Sequence, residues 1–303
     1  MQAVRLVSTE DISHEEWLKI RKKGIGGSDI AAIAGLNHWK SPLALYWDKV
    51  GEQYQQEDNI AMELGRELEP FLRKKFEKWM LKNEGFEVEV MEEKNVLRHP
   101  EHEWMIANID GKFEHPKHGL CLLELKTASE RMFSEWEDNQ LPDSYYCQIQ
   151  WYLAVTGLKT AYIGYLIGNR KFDVKEVIRN DDVIGLLIEK ASDFWHNNIL
   201  AKVPPAPVGF NSDTDILKKL YPEEEKEKAI ELHDMQSYYD EYKQLTKRQK
   251  ELEVRIEVIK QLFMSRLEAA EVGYVGKKRI TWKTQERKGY IVEPSVSRVF
   301  RIW

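Results

Sequence analysis

The fold is decided by Asn108-Ile-Asp-Gly111, where one predicted strand ends, and by Cys121-Leu-Leu-Glu-Leu-Lys126, which lies in the next. Successive side chains of a strand point to opposite faces, so Glu124 and Lys126 share one face. Leu125 then points the other way, into the core. The beginning of the second stretch is too apolar for a surface strand. The sequence therefore predicts charged side chains at the edge of a buried sheet.

Asp110, Glu124 and Lys126 are the candidate catalytic residues. Two carboxylates and an ammonium group are costly to bury unless something binds them. A divalent metal would satisfy the acids, and carboxylate oxygens suit Mg²⁺ or Mn²⁺. The lysine could then orient a water for attack on a phosphodiester. The alternative is an exposed Glu-x-Lys alternation with no chemical role.

Three further segments fit the same site, and each has a simpler explanation. Glu69 could add a carboxylate, or it could pair with Arg73 one helical turn away. Gln148 could reach the metal or a phosphate, or it could lie at a helix–solvent boundary. The glycine-rich basic loop from Arg21 to Ser28 could cradle an anion, or it could be a flexible loop.

The order of elements predicts an α/β (α+β) fold, with a mixed central sheet flanked by helices. Helical spacing and capping signals predict helices that begin near Ser13, Ser28 and Ser41, and others over 60–81, 129–138, 142–156 and 181–199. Short runs rich in β-branched and aromatic residues predict strands over 86–91, 95–99, 104–109, 120–127, 160–167 and 171–179.

Three segments divide the chain. Residues 1–203 form the main domain, and 204–222 form a linker that begins in the proline-rich run Val203–Val208. Residues 223–303 contain an apolar helical stripe from Leu245 to Ala270, which predicts a long helix or helical hairpin, followed by a basic tail. The stripe could cover a core, mediate oligomerisation or dock a partner.

Composition excludes several classes of protein. The chain has 303 residues, a net charge of −6 and two cysteines, which excludes a four-cysteine metal site. It lacks both a run of membrane-spanning length and a signal-peptide pattern, so we expect no membrane partner and a cytoplasmic location. Charge is nevertheless segregated, since residues 277–303 carry eight basic and two acidic side chains.

Five segments together resemble the PD-(D/E)XK nuclease superfamily, and more specifically the YqaJ-type viral recombinase family that includes lambda exonuclease. The matching segments occur in family order, and they are Arg21–Gly35, Gly65–Glu69, Asn108–Asp110, Glu124–Lys126 and Tyr146–Gln150. One departure is Ile109 where the superfamily pattern has proline, a position that varies widely. The resemblance implies a PD-(D/E)XK restriction-endonuclease-like core with a C-terminal helical extension.

The resemblance also implies roles for individual residues. Asp110 and Glu124 would bind the catalytic metals, with the Leu125 backbone carbonyl as a further ligand. Lys126 would position the attacking water. Glu69 would contribute to the metal site.

Outside the metal site, the resemblance implies substrate contacts. Gln148 would organise the substrate and the active site. Arg21 and Ser28 match the positions that hold the terminal 5′-phosphate in exonucleases of this family. Their neighbours Lys22 and Gly27 belong to the same DNA-binding loop.

The function implied by the resemblance is a Mg²⁺-dependent 5′→3′ exonuclease on double-stranded DNA ends, which leaves 3′ single-stranded overhangs; Mn²⁺ is the expected substitute ion. The implied partners are DNA ends and a RecT/Redβ-like single-strand annealing protein, in a bacterial cell that carries the phage or prophage gene. A ring-shaped homo-oligomer is a further expectation. The alternatives are an endonuclease with the same core and a non-catalytic DNA-binding module.

Overall fold

The structure is a computed structural model that describes residues 3–10, 12–37, 39–51, 59–136 and 140–286. The chain forms two compact units, Met1–Tyr221 and Pro222–Trp303. The helices of the first unit are α1 (His14–Lys22), α2 (Gly27–Ile33), α3 (Pro42–Val50), α4 (Ile60–Glu84), α5 (Asp143–Thr156), α6 (Asp181–Asp193) and α7 (Asn211–Leu220). Its strands are β1 (Val4–Ser8), β2 (Asn95–Arg98), β3 (Ile106–Ala107), β4 (Gly111–His115), β5 (Gly119–Ala128), β6 (Thr160–Ile167) and β7 (Lys171–Ile178).

The central sheet has the strand order β4-β5-β6-β7. Strands β5 and β6 are parallel, whereas the β4–β5 and β6–β7 pairs are antiparallel. A smaller antiparallel sheet has the order β1-β2-β3. The predicted mixed sheet flanked by helices is therefore confirmed.

Alternation along β5 divides the core into two layers. Leu123 and Leu125 pack with Leu72 and Phe76 of α4 on one face of the sheet. Leu122 belongs to the other layer, which contains the buried side of α5. Glu124 and Lys126 have the same parity as Leu122, so they point toward α5 and away from α4.

Several predicted elements differ in the structure. The segment 86–91 is not a strand, because its only ladder contact is an isolated bridge between Met91 and Lys112. The segment predicted to be helical over 129–138 forms a 3₁₀ turn at Glu130–Trp136. Within the predicted linker 204–222 lies α7, whose Ile216 is buried and whose Ser212 accepts a hydrogen bond from the Ser41 amide.

Other local predictions are confirmed. Ser13 and Glu16 form the reciprocal capping box that begins α1. The long helix predicted over 60–81 forms as α4. Helix α6 extends through a π-helical turn, Phe194–Leu200.

The second unit contains the long helix α8 (Gln236–Leu267) and a hairpin of β8 (Val272–Val275) and β9 (Lys278–Thr281). A 3₁₀ turn at His233–Met235 precedes α8. The basic tail continues past the described residues, so Arg287, Lys288, Arg298 and Arg301 lie outside them. In the described parts of the chain, no helix has the length and apolar character needed to span a bilayer.

Candidate active site

Asp110 lies just before β4, beside the middle of β5. Its Oδ2 accepts a hydrogen bond of 2.6 Å from the backbone amide of Leu125. Its own carbonyl accepts a bond of 3.1 Å from Arg73 of α4. These two contacts hold the Asp110 carboxylate against the strand that carries Glu124 and Lys126.

Glu124 is the centre of a buried polar cluster. Its Oε1 lies 2.6 Å from Lys126 Nζ and accepts a bond of 2.7 Å from Gln148 Nε2 on α5. The same Gln148 amide lies 2.9 Å from the hydroxyl of Tyr152, one helical turn further along. The side chain of Glu124 is 2% exposed, and its Oε2 is buried with no hydrogen-bond partner.

The acids of this cluster are electrostatically unfavourable as they stand. Burial and the nearby Asp110 raise the pKa of Glu124 above its usual range, despite Lys126. Burial also raises the pKa of Asp110. The pKa of Lys126 is raised because both carboxylates outweigh its own desolvation. The cluster therefore contains a buried carboxylate oxygen without a hydrogen-bond partner beside acids whose pKa values are raised.

Glu69 lies at the edge of this cluster. Its Oε1 accepts a hydrogen bond of 2.8 Å from Arg73. This is the pairing that the sequence offered as the alternative to a metal-binding role for Glu69. The same Arg73 Nη1 bonds the Asp110 carbonyl. Burial and the Asp110 carboxylate raise the pKa of Glu69 to about 7. Glu69 is therefore both an ion-pair partner and a neighbour of the predicted metal site.

The predicted phosphate loop brings two of its four residues together. Arg21 Nη2 donates a hydrogen bond of 2.8 Å to Ser28 Oγ, and its guanidinium lies 4.7 Å from the centre of the Trp17 ring. Lys22 points elsewhere, since its Nζ donates to the Gly51 carbonyl at 3.0 Å.

Gly27 is a packing contact between the loop and the polar cluster around Glu124. A Cβ at this position would lie 2.4 Å from Tyr152 Cε1 and 2.9 Å from Gln148 Cγ. Because only glycine allows this approach, α2 lies directly against the side of α5 that bonds Glu124. The loop and Glu124 are thus joined through Gln148.

A buried ion pair holds the loop from beneath. Lys49 Nζ lies 2.6 Å from Asp29 Oδ2 and donates to the carbonyls of Arg21 at 2.7 Å and Gly24 at 2.8 Å. Asp29 Oδ2 also accepts from the Gly26 amide at 2.8 Å. Both side chains are 3% exposed. The pair therefore fixes the backbone on both sides of the loop.

Sequence reasoning missed three residues of this site and named Arg73 only as a possible partner of Glu69. Tyr152, Arg73, Asp29 and Lys49 each contact a predicted residue. One signal was present, since Tyr152 follows Gln148 at a spacing that places both on one helix face. The Asp29–Lys49 pair joins distant segments and left no local pattern.

The fold brings Asp110, Glu124 and Lys126 together beside α5. Residues 16–159 match the family model described as the YqaJ-like viral recombinase domain. A Bacillus subtilis (strain 168) protein described as uncharacterized protein YqaJ is 36% identical over 289 residues, which cover 92% of this chain and 86% of that protein. The chain belongs to the YqaJ-like viral recombinase family.

Two solved structures are similar to about two thirds of the chain. LHK-Exo in complex with dAMP is 19% identical with a TM-score of 0.50, and the match covers 68% of this chain and 97% of LHK-Exo. A second structure, of LHK-Exo described as an alkaline exonuclease from Laribacter hongkongensis, is 20% identical with a TM-score of 0.49 and covers 68% and 100%. The first likeness supports the phage exonuclease-like fold.

Proposed function

We propose that this protein is a divalent-cation-dependent 5′→3′ exonuclease on double-stranded DNA ends. The family membership and the PD-(D/E)XK cluster favour phosphodiester hydrolysis. The direction of digestion is inferred from the Arg21–Ser28 pair, which is joined to the cluster through Gly27 and Gln148. That connection is the observation that carries the proposal.

The residues of the cluster fit a magnesium ion. In the described part of the chain, no group of three or more His, Cys, Asp or Glu side chains is gathered closely enough to hold a metal alone. Asp110 and Glu124 would therefore be joined by the Leu125 backbone carbonyl, with Glu69 nearby. The orphaned Glu124 Oε2 supports this assignment, because a buried carboxylate oxygen normally has a partner. The bound ion would act as a Lewis acid toward the scissile phosphate.

The chain's own residues perform the remaining tasks. The Lys126 ammonium, held by Glu124 and lying 5.3 Å from the centre of the Tyr145 ring, carries positive charge to the point where a phosphodiester gains negative charge. Gln148 keeps Glu124 in one orientation and leaves Oε2 available. An attacking water near Lys126 would be oriented by that ammonium.

The loop would select the end of the strand. A guanidinium and a hydroxyl in contact offer several donors to a terminal 5′-phosphate, and bonds to a dianionic group are strong. Seating that phosphate at Arg21 and Ser28 would place the next phosphodiester at the cluster. Repeated cleavage would release 5′-mononucleotides and leave a 3′ overhang, the substrate of a RecT/Redβ-like annealing protein.

Digestion of end-labelled linear duplex DNA with Mg²⁺ tests this function. We expect early release of the 5′ label as a mononucleotide, an intact closed circle and no activity in Lys126→Ala. A cut circle would instead identify an endonuclease with the same core. Absence of cleavage on every DNA, with Mn²⁺ also tried, would favour a non-catalytic DNA-binding module.

The loop assignment has its own control. Arg21→Ala is expected to slow digestion of 5′-phosphorylated ends about tenfold more than 5′-hydroxyl ends, since one charge-assisted contact contributes about 1.5 kcal/mol. Lys22→Ala, whose side chain bonds Gly51, should leave that ratio unchanged. If Arg21→Ala slowed digestion of both kinds of end equally, the terminal 5′-phosphate would not bind at this loop.

A further inference from the structure

Lys126 has a second neighbour besides Glu124, and that neighbour is an aromatic ring. Its Nζ lies 5.3 Å from the centre of the Tyr145 ring, within the range of a cation–π attraction. Tyr145 precedes Gln148 by three residues on α5, so both side chains lie on the helix face that meets the cluster. Helix α5 thereby contacts both members of the Glu124–Lys126 pair.

The Tyr145 ring belongs to a stack of aromatic side chains. Its centre lies 5.5 Å from that of Trp136, and Trp136 stacks on Tyr165 with ring centres 4.1 Å apart. Trp136 and Tyr165 are only 3% and 1% exposed, so close packing in the core fixes both rings. Tyr165 is also paired with Lys126 across β5 and β6. The stack therefore begins beside the Lys126 backbone and ends at its ammonium group.

A second lysine supports the same stack from β7. Lys175 Nζ lies 5.5 Å from the centre of the Tyr165 ring and 5.8 Å from that of Trp136. The same Nζ donates a hydrogen bond of 3.1 Å to the Trp136 carbonyl. Lys175 thus contacts both the backbone and the ring of Trp136. Because Trp136 is held in this way, it restricts where the Tyr145 ring can lie.

We propose that Tyr145 is a positioning residue, whose ring holds the Lys126 ammonium group where the phosphodiester is cleaved. This inference rests on the proposed function and deepens it. Glu124 alone is a weak support during the reaction, because a cation bound to its carboxylate would compete with the ammonium group for the same negative charge. The Tyr145 ring is uncharged, and its π face attracts the ammonium group even when the charge of Glu124 is neutralised.

Thermal unfolding of the full chain, without metal or DNA, tests the contact itself. Tyr145→Phe keeps an aromatic face, whereas Tyr145→Leu keeps only apolar bulk. Tyr145 is only partly buried, so neither substitution is expected to prevent folding. We expect the difference between their melting temperatures to be about 2–4 °C larger with Lys126 present than in a Lys126→Leu background. Equal differences in the two backgrounds would overturn the proposal.

Tyr162 provides the matched control for this comparison. It lies in the other layer of the core and packs on His115, with ring centres 5.6 Å apart. The difference in melting temperature between Tyr162→Phe and Tyr162→Leu should be the same with and without Lys126. If this difference changed as much as the one at Tyr145, the effect would not come from the Tyr145 ring, and the assignment would fail.

Single-turnover cleavage of linear duplex DNA with Mg²⁺ tests the consequence of the contact. Tyr145→Leu is expected to be about tenfold slower than the parent, which corresponds to about 1.4 kcal/mol. Tyr145→Phe should restore the rate to within about twofold of the parent, because its ring still faces Lys126. Cleavage by Tyr145→Leu at the parent rate, or equal slowing in both variants, would overturn the positioning role.

DNA affinity separates positioning from direct contact with the substrate. Without a divalent cation, both Tyr145 variants should bind duplex DNA as tightly as the parent, because the ring acts on Lys126. Weaker binding by Tyr145→Leu alone would place DNA on the ring and overturn the proposal. An inactive parent would contradict the proposed function instead, and the melting-temperature comparison would still decide whether Tyr145 holds Lys126.

Discussion

Two lysine–carboxylate pairs, the partly buried Glu124–Lys126 and the buried Asp29–Lys49, have the same 2.6 Å separation and opposite electrostatic character. Burial alone would raise the pKa of Asp29, but Lys49 and Arg21 outweigh it and lower that pKa to about 2. For Glu124, burial and the neighbouring Asp110 outweigh Lys126, and the pKa is raised. The distance within an ion pair therefore does not reveal its role.

The surroundings of each pair explain the difference. Lys49 uses all three donors of its ammonium group, on Asp29 and on the Arg21 and Gly24 carbonyls. Glu124 has an oxygen with no partner. A completed pair stabilises the fold, whereas the proposed function has the incomplete pair, beside further acids, bind a cation.

The largest expected effect comes from the incomplete pair. Glu124→Gln should reduce single-turnover cleavage by about a thousandfold or more, because it removes charge from the centre of the site. Its melting temperature should stay close to that of the parent, since the buried charge was not stabilising. Residual activity within tenfold of the parent would show that Glu124 is not catalytic.

The completed pair should respond in the opposite way. Lys49→Met is expected to lower the free energy of unfolding by about 3–5 kcal/mol, because it leaves a charged Asp29 buried alone. Urea unfolding followed by tryptophan fluorescence measures this. The control is Lys19→Met, which removes an exposed pair with Glu15 and should change stability by less than about 1 kcal/mol. If the two variants lost the same free energy of unfolding, the Asp29–Lys49 pair would not stabilise the fold.

Substitution of Gly27 tests the packing contact that joins the loop above Asp29–Lys49 to Gln148 and Glu124. Gly27→Ala should destabilise the protein by about 2–3 kcal/mol, because the added methyl overlaps Tyr152. It should also slow cleavage by displacing Gln148 from Glu124. Gly65→Ala, a helical site with open space around it, is the matched control and is expected to be neutral or stabilising. An active, stable Gly27→Ala protein would disprove the close packing.

The smallest expected effect is on how the free energy of unfolding changes as the pH falls. The pKa of Asp29 is near 2 in the folded protein and near 3.8 when unfolded, so its contribution is present above pH 4 and lost as pH falls toward 2. The contribution is about 2 kcal/mol. Unfolding measured from pH 5 to 2 should therefore show a shallower acid limb for Asp29→Asn than for the parent. Identical slopes would contradict the lowered pKa.

That Asp110, Glu124, Lys126 and Gln148 lie together could be predicted because the information for it is local. Period-two alternation placed Glu124 and Lys126 on one face, and the order of motifs supplied Asp110 and Gln148. The Asp29–Lys49 ion pair forms because α3 packs against the loop from Arg21 to Ser28. No short sequence pattern predicts this packing. Segment 86–91 was wrongly predicted as a strand because its side chains suit a strand, although its backbone forms only a bridge at Met91.

Binding of Mg²⁺ without DNA tests the central claim most directly, and thermal unfolding at increasing Mg²⁺ measures it. An ion that binds only the folded state stabilises it by RT ln(1 + [Mg²⁺]/Kd), so the melting temperature rises with the Mg²⁺ concentration. We predict that Mg²⁺ stabilises the parent and Asp29→Asn equally, and that Glu124→Gln loses this stabilisation. An undiminished Mg²⁺ shift in Glu124→Gln, or its loss in Asp29→Asn, would contradict the roles assigned to the two pairs.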